Sequence, residues 1–382
     1  MAKRRKKKRI PFFKWLFLIV LICVFTYTML EIRNANTTVE ADNNLGSQVY
    51  NEGLSSIGSY PTVTSDTFSF TDEAGCDYGI LIDLKTNSVI CSRKPDEKIY
   101  PASLTKVMTL LVAVENIKDL NATYTMSFDI LDSLYLSDAS MAGFSEGEQC
   151  KMIDLLYGAI LPSGADATTA LSNYIAGNET AFVELMNKKV SELGLRNTHF
   201  TNASGLHNKE HYSTVTDIAL ILEAALKNDL CRQVLSTYVY TTSVTEHHPE
   251  GIQLISTLLS RMYGDEVAGM TIEGGKTGYT LESGHSIASF AKVNSTGDEY
   301  VLVLASGDDI WEPVFDCFTV YGYILNNNNP TNLSSDNEAS GDTVTSSAAT
   351  VSRMTEAHIS YYDYIKQKKE AKAAGNSQTS GE

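Results

Sequence analysis

The order in which hydrophobic periodicity changes along this chain limits its fold more than any single motif does. Two β-type runs, "YGILIDL" (78–84) and "SVICS" (88–92), come first and are joined by a tight turn at "KTN" (85–87). Helical patterns follow. In "IYPASLTKVMTLLVAVENI" (99–117), Leu104, Val107, Met108, Leu111 and Val114 recur at helical spacing and predict a helix that buries one stripe. "MIDLLYGAIL" (152–161), "ATTALSNYIA" (167–176) and "AFVELMNKKVSELGL" (181–195) continue the helical region. Strand-like runs return with "HSIASFAKV" (285–293) and "EYVLVLASG" (299–307), and "WEPVFDCFTVYGYIL" (311–325) suits a closing helix. Strands at both ends with helices between predict one sheet completed by the two ends of a single domain, around a helical insertion.

The flanks of this domain differ from it in composition. Of the 30 Lys and Arg in 382 residues, eight fall in the first 14 positions, where no acid occurs. Removing them takes the formal charge from −16 to −24 for the rest of the chain. So acidic a body repels phosphates, and nucleic acid is excluded as a partner. Next comes "WLFLIVLICVFTYTML", Trp15 to Leu30, without a charge. With Phe12 and Phe13 and a snorkelling Lys14, it reaches the length of about 20 residues that a membrane span needs. The reading is a basic cytoplasmic segment at 1–10, a signal-anchor at 11–31 and everything after Glu31 on the outer side. The alternative is secretion after cleavage of a signal peptide, with Val39 and Ala41 forming a small-residue site unusually far from the apolar run. Residues 32–70, rich in Asn, Ser, Thr and Gly, read as a flexible stalk. Residues 328–382 read as a low-complexity, disordered tail. Between them lies the folded domain, 71–327.

Six cysteines are present, five of them after the apolar run, and no spacing suggests a metal site. Cys76 and Cys91 flank the first turn, but positions that mirror each other across it sum to about 172, and this pair does not. No disulfide is assigned.

The chemistry starts at Ser103 and Lys106. Residues three apart share a helix face, which sets the hydroxyl one turn from the ammonium, behind Pro101. A serine needs a base to become a nucleophile, and a desolvated lysine with a lowered pKa can serve. The spacing alone is common by chance: "SFAK" (289–292) repeats it inside a strand pattern. Two further stretches add weight. "IEGGKTGYT" (272–280) places Lys276, Thr277 and Gly278 where a cation, a hydroxyl and an open backbone can receive a carboxylate-bearing chain; otherwise it is a turn with a solvated lysine. "ILPSGADA" (160–167) places Ser163 in a turn between helices, as a second hydroxyl or as a helix cap.

With these motifs in view the chain resembles the serine D-alanyl-D-alanine carboxypeptidases, the low-molecular-mass penicillin-binding proteins of peptidase family S11. Besides "SLTK" and "KTG", the likeness runs through "ASMAGFSEGEQCKMIDLLYGAILPSGADA", "FTNASGLHNKEHYSTVTDIALI" and "GGKTGYTLESGHSIAS", in order over about residues 72–325. The resemblance implies an α/β fold of the β-lactamase/transpeptidase type, an antiparallel sheet flanked by helices with a helical subdomain. It implies that Ser103 attacks the carbonyl between two D-alanines, that Lys106 takes its proton and that Ser163 passes one to the leaving amine. Substrate would be bound by Lys276, Thr277, Gly278 and Tyr279, with the backbone N–H groups of Ser103 and Tyr279 as the oxyanion hole. No metal or cofactor is called for. The implied partners are peptidoglycan stem peptides, with β-lactams as covalent inhibitors.

Two positions depart from the family. Where relatives carry Ser-x-Asn this chain has Ser163, Gly164 and Ala165, and alanine cannot hydrogen-bond the lysine or the substrate amide. Asp166 matches the acid that ordinarily follows the asparagine, so it is no substitute. Where relatives often carry an arginine for the substrate carboxylate, "SGDDIWEP" (306–313) offers Asp308, Asp309 and Glu312. These departures keep open a catalytically weakened relative that binds peptidoglycan or a partner. A β-lactamase would share Ser103, Lys106 and Lys276 but needs a further base for the drug acyl-enzyme, and no loop supplies one.

Overall fold

The computed structural model describes residues 59–71 and 73–325. The expected cytoplasmic segment, membrane anchor and C-terminal tail lie outside them, as does most of the expected stalk. Strands β1 (Thr62–Ser69), β2 (Tyr78–Asp83) and β3 (Ser88–Arg93) open the domain. Two short pairs sit in its middle part: β4 (Thr123–Thr125) with β5 (Gln149–Lys151), and β6 (Val239–Thr241) with β7 (Gln253–Ile255). Strands β8 (Met270–Thr280), β9 (Gly284–Val293) and β10 (Glu299–Gly307) return at the end. The main sheet has the order β1-β3-β2-β10-β9-β8, so the early and late strands meet at β2 and β10, where Leu81 lies opposite Leu302. The sheet expected from the periodicity, completed from both ends of the domain, is the one that forms.

Strand β10 shows why its sequence reads as an unbroken apolar run. Val301, Val303 and Ala305 face the cluster that includes the helical insertion, while Tyr300, Leu302 and Leu304 face a second cluster. Both faces of the strand are covered, so neither set of alternating positions can be polar. The second face is covered by helix 312–325, through Val314, Cys317, Val320 and Tyr321.

The helical elements are α1 (Thr105–Asn116), α2 (Phe128–Leu136), α3 (Met152–Ile160), α4 (Ala165–Ala176), α5 (Glu179–Glu192), α6 (Val215–Leu226) and α7 (Asp229–Leu235), with α8 (Glu312–Leu325) closing the domain. Helix α1 departs from expectation. Every residue from Thr105 to Ala113 is buried, not one stripe, because α3, α4, α5, α6 and α7 all pack against it. An apolar stripe predicts a surface helix; this one is the axis of the helical part.

The stalk reading needs correcting at its end. Thr62–Ser69 is not stalk but strand β1, and it runs parallel to β3, whereas the other strand pairs of the sheet are antiparallel. Its Thr- and Ser-rich sequence hid it, since five of its first positions are exposed and only Phe68, edge-on to Tyr323 at 5.4 Å, supplies an apolar contact of note. An outer strand with solvent on it lacks the alternation that marks a strand. The first turn pairs Ile80 with Ser92 and Leu81 with Cys91, the register read from the sequence. Cys76, Cys91, Cys150, Cys231 and Cys317 are buried free thiols. Among the described residues no helix is long and apolar enough to cross a membrane.

Candidate active site

Pro101 to Leu104 form the turn that presents Ser103. Helix α1 begins only at Thr105, and the serine sits in a single 3₁₀ turn ahead of it (Ala102–Leu104). Ala102 has φ +46°, a left-handed conformation that costs a residue with a Cβ free energy and persists only where the surroundings enforce it. The enforcing contact is Gly205, itself at φ +85°, whose backbone is pressed against the carbonyl of Ala102.

Lys106 stands one turn on, with Nζ donating to Ser103 Oγ at 3.0 Å and to the carbonyl of Ser204 at 2.5 Å. It is 2% exposed. Burial disfavours the ammonium and brings its pKa down to about 7, against a smaller opposing pull from the Asp166 carboxylate. A lysine in this state exists substantially as a free amine near neutral pH, 3.0 Å from the hydroxyl it would deprotonate.

The loop 201–206 holds this arrangement along α1. Thr109 Oγ1 donates to Ala203 O at 2.7 Å, and Thr105 Oγ1 meets His211 Nε2 at 2.7 Å. His211 Nδ1 accepts the N–H of Thr201, so the ring's proton is on Nε2 and the histidine donates to Thr105. Burial lowers its pKa to about 4, which keeps it neutral. Within the loop, Asn202 Oδ1 accepts from Ser204 N, Ser204 Oγ and Gly205 N. Sequence reasoning missed the Ser204 carbonyl and His211 as supports of the site. The signal was available in "NASG", an Asx-turn sequence ending in a glycine.

Ser163 follows α3 in a strained turn at φ +68°. Its Oγ is the one buried side-chain polar atom among the described residues without a hydrogen-bond partner. A capping role is thereby excluded, since the N-cap of α4 is Gly164. An orphaned hydroxyl held in a strained turn costs stability and calls for a functional reason. No hydrogen bond joins it to Ser103 or Lys106. The turn is anchored by Gly164 N to Gly158 O and Ala165 N to Ser140 O.

Asp166 does what the sequence reading allowed it and no more. Its oxygens accept the backbone N–H groups of Ala142, Gly143 and Ala167, tying the 140–143 loop to α4. Burial raises its pKa, with those donors opposing. It supports Lys106 electrostatically but has no hydrogen bond to it. Ala165 is buried and brings no polar atom beyond its backbone.

Strand β8 is the edge of the main sheet and passes beside the Ser103 turn. A Cβ on Gly278 would lie 3.1 Å from Pro101 O and 3.2 Å from Leu104 Cγ, so glycine lets the two backbones approach. Lys276 is fully buried and donates to Thr277 O at 2.9 Å; burial first, then Lys106 and Arg261, hold its pKa well below the usual lysine range. Thr277 Oγ1 and Thr257 Oγ1 are 2.7 Å apart, and Thr257 N donates to Leu161 O, so one residue ties β8 to the end of α3. Tyr279 is exposed and stacks on His285 at 4.2 Å. The remote Ser289 and Lys292 lie in β9, where Ser289 Oγ meets Tyr321 and Lys292 pairs with Glu273. The same spacing therefore lies in a strand there and in a buried lysine–serine contact at Ser103.

Two acids of "SGDDIWEP", Asp309 and Glu312, accept backbone N–H groups. Asp309 Oδ1 accepts the N–H groups of Trp311 and Glu312, and Glu312 Oε2 accepts that of Asp308, at the start of α8. Among the described residues no group of His, Cys, Asp and Glu is placed to hold a metal ion.

Comparison with known proteins shows the family to which this fold belongs. A model of the D-alanyl-D-alanine carboxypeptidase family matches residues 67–305. The D-alanyl-D-alanine carboxypeptidase DacF of Bacillus subtilis is 33% identical over 218 residues, which are 56% of this chain and 53% of the relative. DacA of Escherichia coli K12 is 32% identical over 219 residues, 56% of this chain and 52% of the relative. The chain thus spans about half the length of the curated relatives it matches. Among solved structures, a Streptomyces DD-transpeptidase superposes with TM-score 0.60 at 27% identity, covering 66% of this chain and 98% of its own. Penicillin binding protein 5 of Haemophilus influenzae gives TM-score 0.59 at 27% identity, covering 67% and 72%.

Proposed function

The chain belongs to the D-alanyl-D-alanine carboxypeptidase family, and from that premise we propose that it removes the terminal D-alanine of peptidoglycan stem peptides through an acyl-enzyme on Ser103. The observation that carries the reading is the contact of Lys106 Nζ with Ser103 Oγ at 3.0 Å, made by a lysine whose burial holds it near its free-amine form at neutral pH. Lys106 takes the Ser103 proton as Oγ bonds to the penultimate carbonyl carbon. The backbone N–H groups of Ser103 and Tyr279 hold the oxyanion, each such donor typically worth about 3 kcal/mol in the transition state. Collapse expels D-alanine, whose amine takes a proton relayed by Ser163, and water then releases the shortened peptide. Lys276, Thr277 and Gly278 form the strand edge along which the peptide lies. β-Lactams would acylate the same oxygen.

The same proposal places the domain outside the cell on its N-terminal apolar segment, with the basic residues 3–9 inside. Protease added to intact cells would then release the domain, whereas a mature protein found in the medium would support cleavage of that segment.

The activity is tested by fluorescent penicillin labelling followed by a D-alanine release assay on the parental protein and Ser103→Ala. Labelling and release in the parent, both lost in the variant, are expected. Labelling without release would favour the binding-only alternative. Labelling that survives in Ser103→Ala would overturn the nucleophile.

A further inference from the structure

Ser163 is held at φ +68° with its hydroxyl unpartnered, and such a turn persists only where its surroundings impose it. On one side the 140–143 loop imposes it, through Ser140 O on Ala165 N and Asp166 on the N–H groups of Ala142 and Gly143. On the other side Leu161 O, two residues before Ser163, accepts Thr257 N at 2.9 Å. Thr257 stands just past the β6–β7 hairpin, so this side of the turn is only as fixed as that hairpin.

Apolar packing does little to fix it. Of the hairpin's six strand residues only Leu254 is buried, and a two-stranded ribbon alone is marginal in water. Two buried carboxylates of the helical insertion hold it instead. Asp154, in the first turn of α3 and 2% exposed, accepts Tyr240 OH at 2.7 Å and Ser243 N at 3.1 Å, while the Tyr240 ring stacks on Tyr157 at 3.8 Å. Glu148, just ahead of β5 and 1% exposed, accepts Thr245 Oγ1 at 2.8 Å, His248 Nδ1 at 3.0 Å and Ser145 N at 2.8 Å. Burial works to raise the Glu148 pKa, but the donors from Ser145, His248 and Thr245 outweigh it and hold the carboxyl below its ordinary range. A buried charge is costly unless its contacts are all made, so Glu148 favours one arrangement of the hairpin against the 145–148 turn. Asp154 and Leu161 are about 10 Å apart along the helix axis, and the hairpin thus grips both ends of the helix that runs into Ser163. Glu148 closes the ring, because Ser145 continues the loop that holds the other side of the turn.

We propose that Glu148 is a positioning residue for the Ser163 hydroxyl: it clamps the hairpin through Thr245 and His248, and the hairpin fixes the Ser163 turn through Thr257 and Leu161. This inference rests on the proton-relay role given to Ser163 above.

The test exploits the leaving group. When Ser103 Oγ bonds to an amide carbonyl the C–N bond breaks and the amine must take a proton, whereas a thioester loses its C–S bond and the sulfur departs as thiolate without one. The probes are diacetyl-L-lysyl-D-alanyl-D-alanine and the matching thioester with sulfur in place of the scissile N–H, with kcat/KM measured on the full-length chain. Ser163→Ala sets the scale and should slow the amide on the order of 100-fold or more, and the thioester far less. Glu148→Gln should show the same selectivity, slowing the amide about tenfold or more and leaving the thioester nearly unchanged. Equal slowing of both substrates, or of neither, overturns the positioning role, since a general loss of structure acts on both alike. Should Glu148→Gln fail to fold, Tyr240→Phe decides by the same criterion, because it releases Asp154 from the hairpin and keeps the ring on Tyr157. If Ser163→Ala itself shows no amide selectivity, the relay reading falls, and this proposal with it.

Discussion

A Cβ on Gly205 would sit 1.9 Å from the carbonyl oxygen of Ala102, the residue before Ser103. Gly205 also lies at φ +85°, so an alanine there is both strained and in collision with backbone that cannot swing aside. Gly205→Ala should displace the Ser103 turn and cut acylation more than tenfold, with a stability loss of roughly 1–3 kcal/mol from the strained conformation. Acylation rate and thermal melting, measured together, check this. A variant that melts normally and acylates at the parental rate would show that the turn does not depend on this contact.

Lys106 has its pKa near 7 because the ammonium is buried. The proton acceptor is the free amine, which forms as pH rises through that value. The acylation rate should climb about tenfold per pH unit below 7 and level off above it. Lys106→Ala should abolish the pH-dependent limb along with nearly all acylation. A flat profile between pH 5 and 8 in the parental protein would require a different base.

At Ala165 the usual side-chain amide is absent, and Asp166 is committed to the 140–143 backbone. Its loss removes one or two hydrogen bonds worth roughly 0.5–1.5 kcal/mol each. D-Alanine release should therefore be slow but measurable, and Ala165→Asn should raise turnover up to about tenfold for each bond restored. A variant that melts like the parent yet turns over more slowly would show that this turn has reorganised around alanine.

His211 is neutral and its folded pKa, about 4, is depressed below the ordinary histidine value by burial. The unfolded chain therefore binds a proton that the folded one refuses as pH falls from about 6.5 toward 4, and stability is lost in that window. The full loss is on the order of 3 kcal/mol. Comparing melting temperatures at pH 7 and pH 4.5, His211→Gln should show a smaller drop than the parent. Equal drops would place the acid sensitivity in other groups.

How much of this was readable in the sequence depended on what each residue faces. Strand β10 and helix α8 were legible because both are covered on an apolar side and their periodicity carries that fact. Strand β1 was not, since its partner is a single edge and most of its side chains meet water. The Ser103–Lys106 pair was legible as a spacing, but "SFAK" has the same spacing. What separates them, the burial of Lys106 and the carbonyl of Ser204, comes from a loop some hundred residues away.

The pairing of Leu81 with Leu302 places the two halves of the sheet far apart in sequence. A ribosome delivers β2 and β3 long before β10, so the hairpin they form has one face and one edge with nothing to close them. The sheet cannot be completed until almost the whole domain has been synthesised, and contacts this distant in sequence are of the kind that slows folding. Until then the apolar residues of β2 remain open to other partners. The main sheet of this domain thus stays incomplete during synthesis until β10 arrives beside β2.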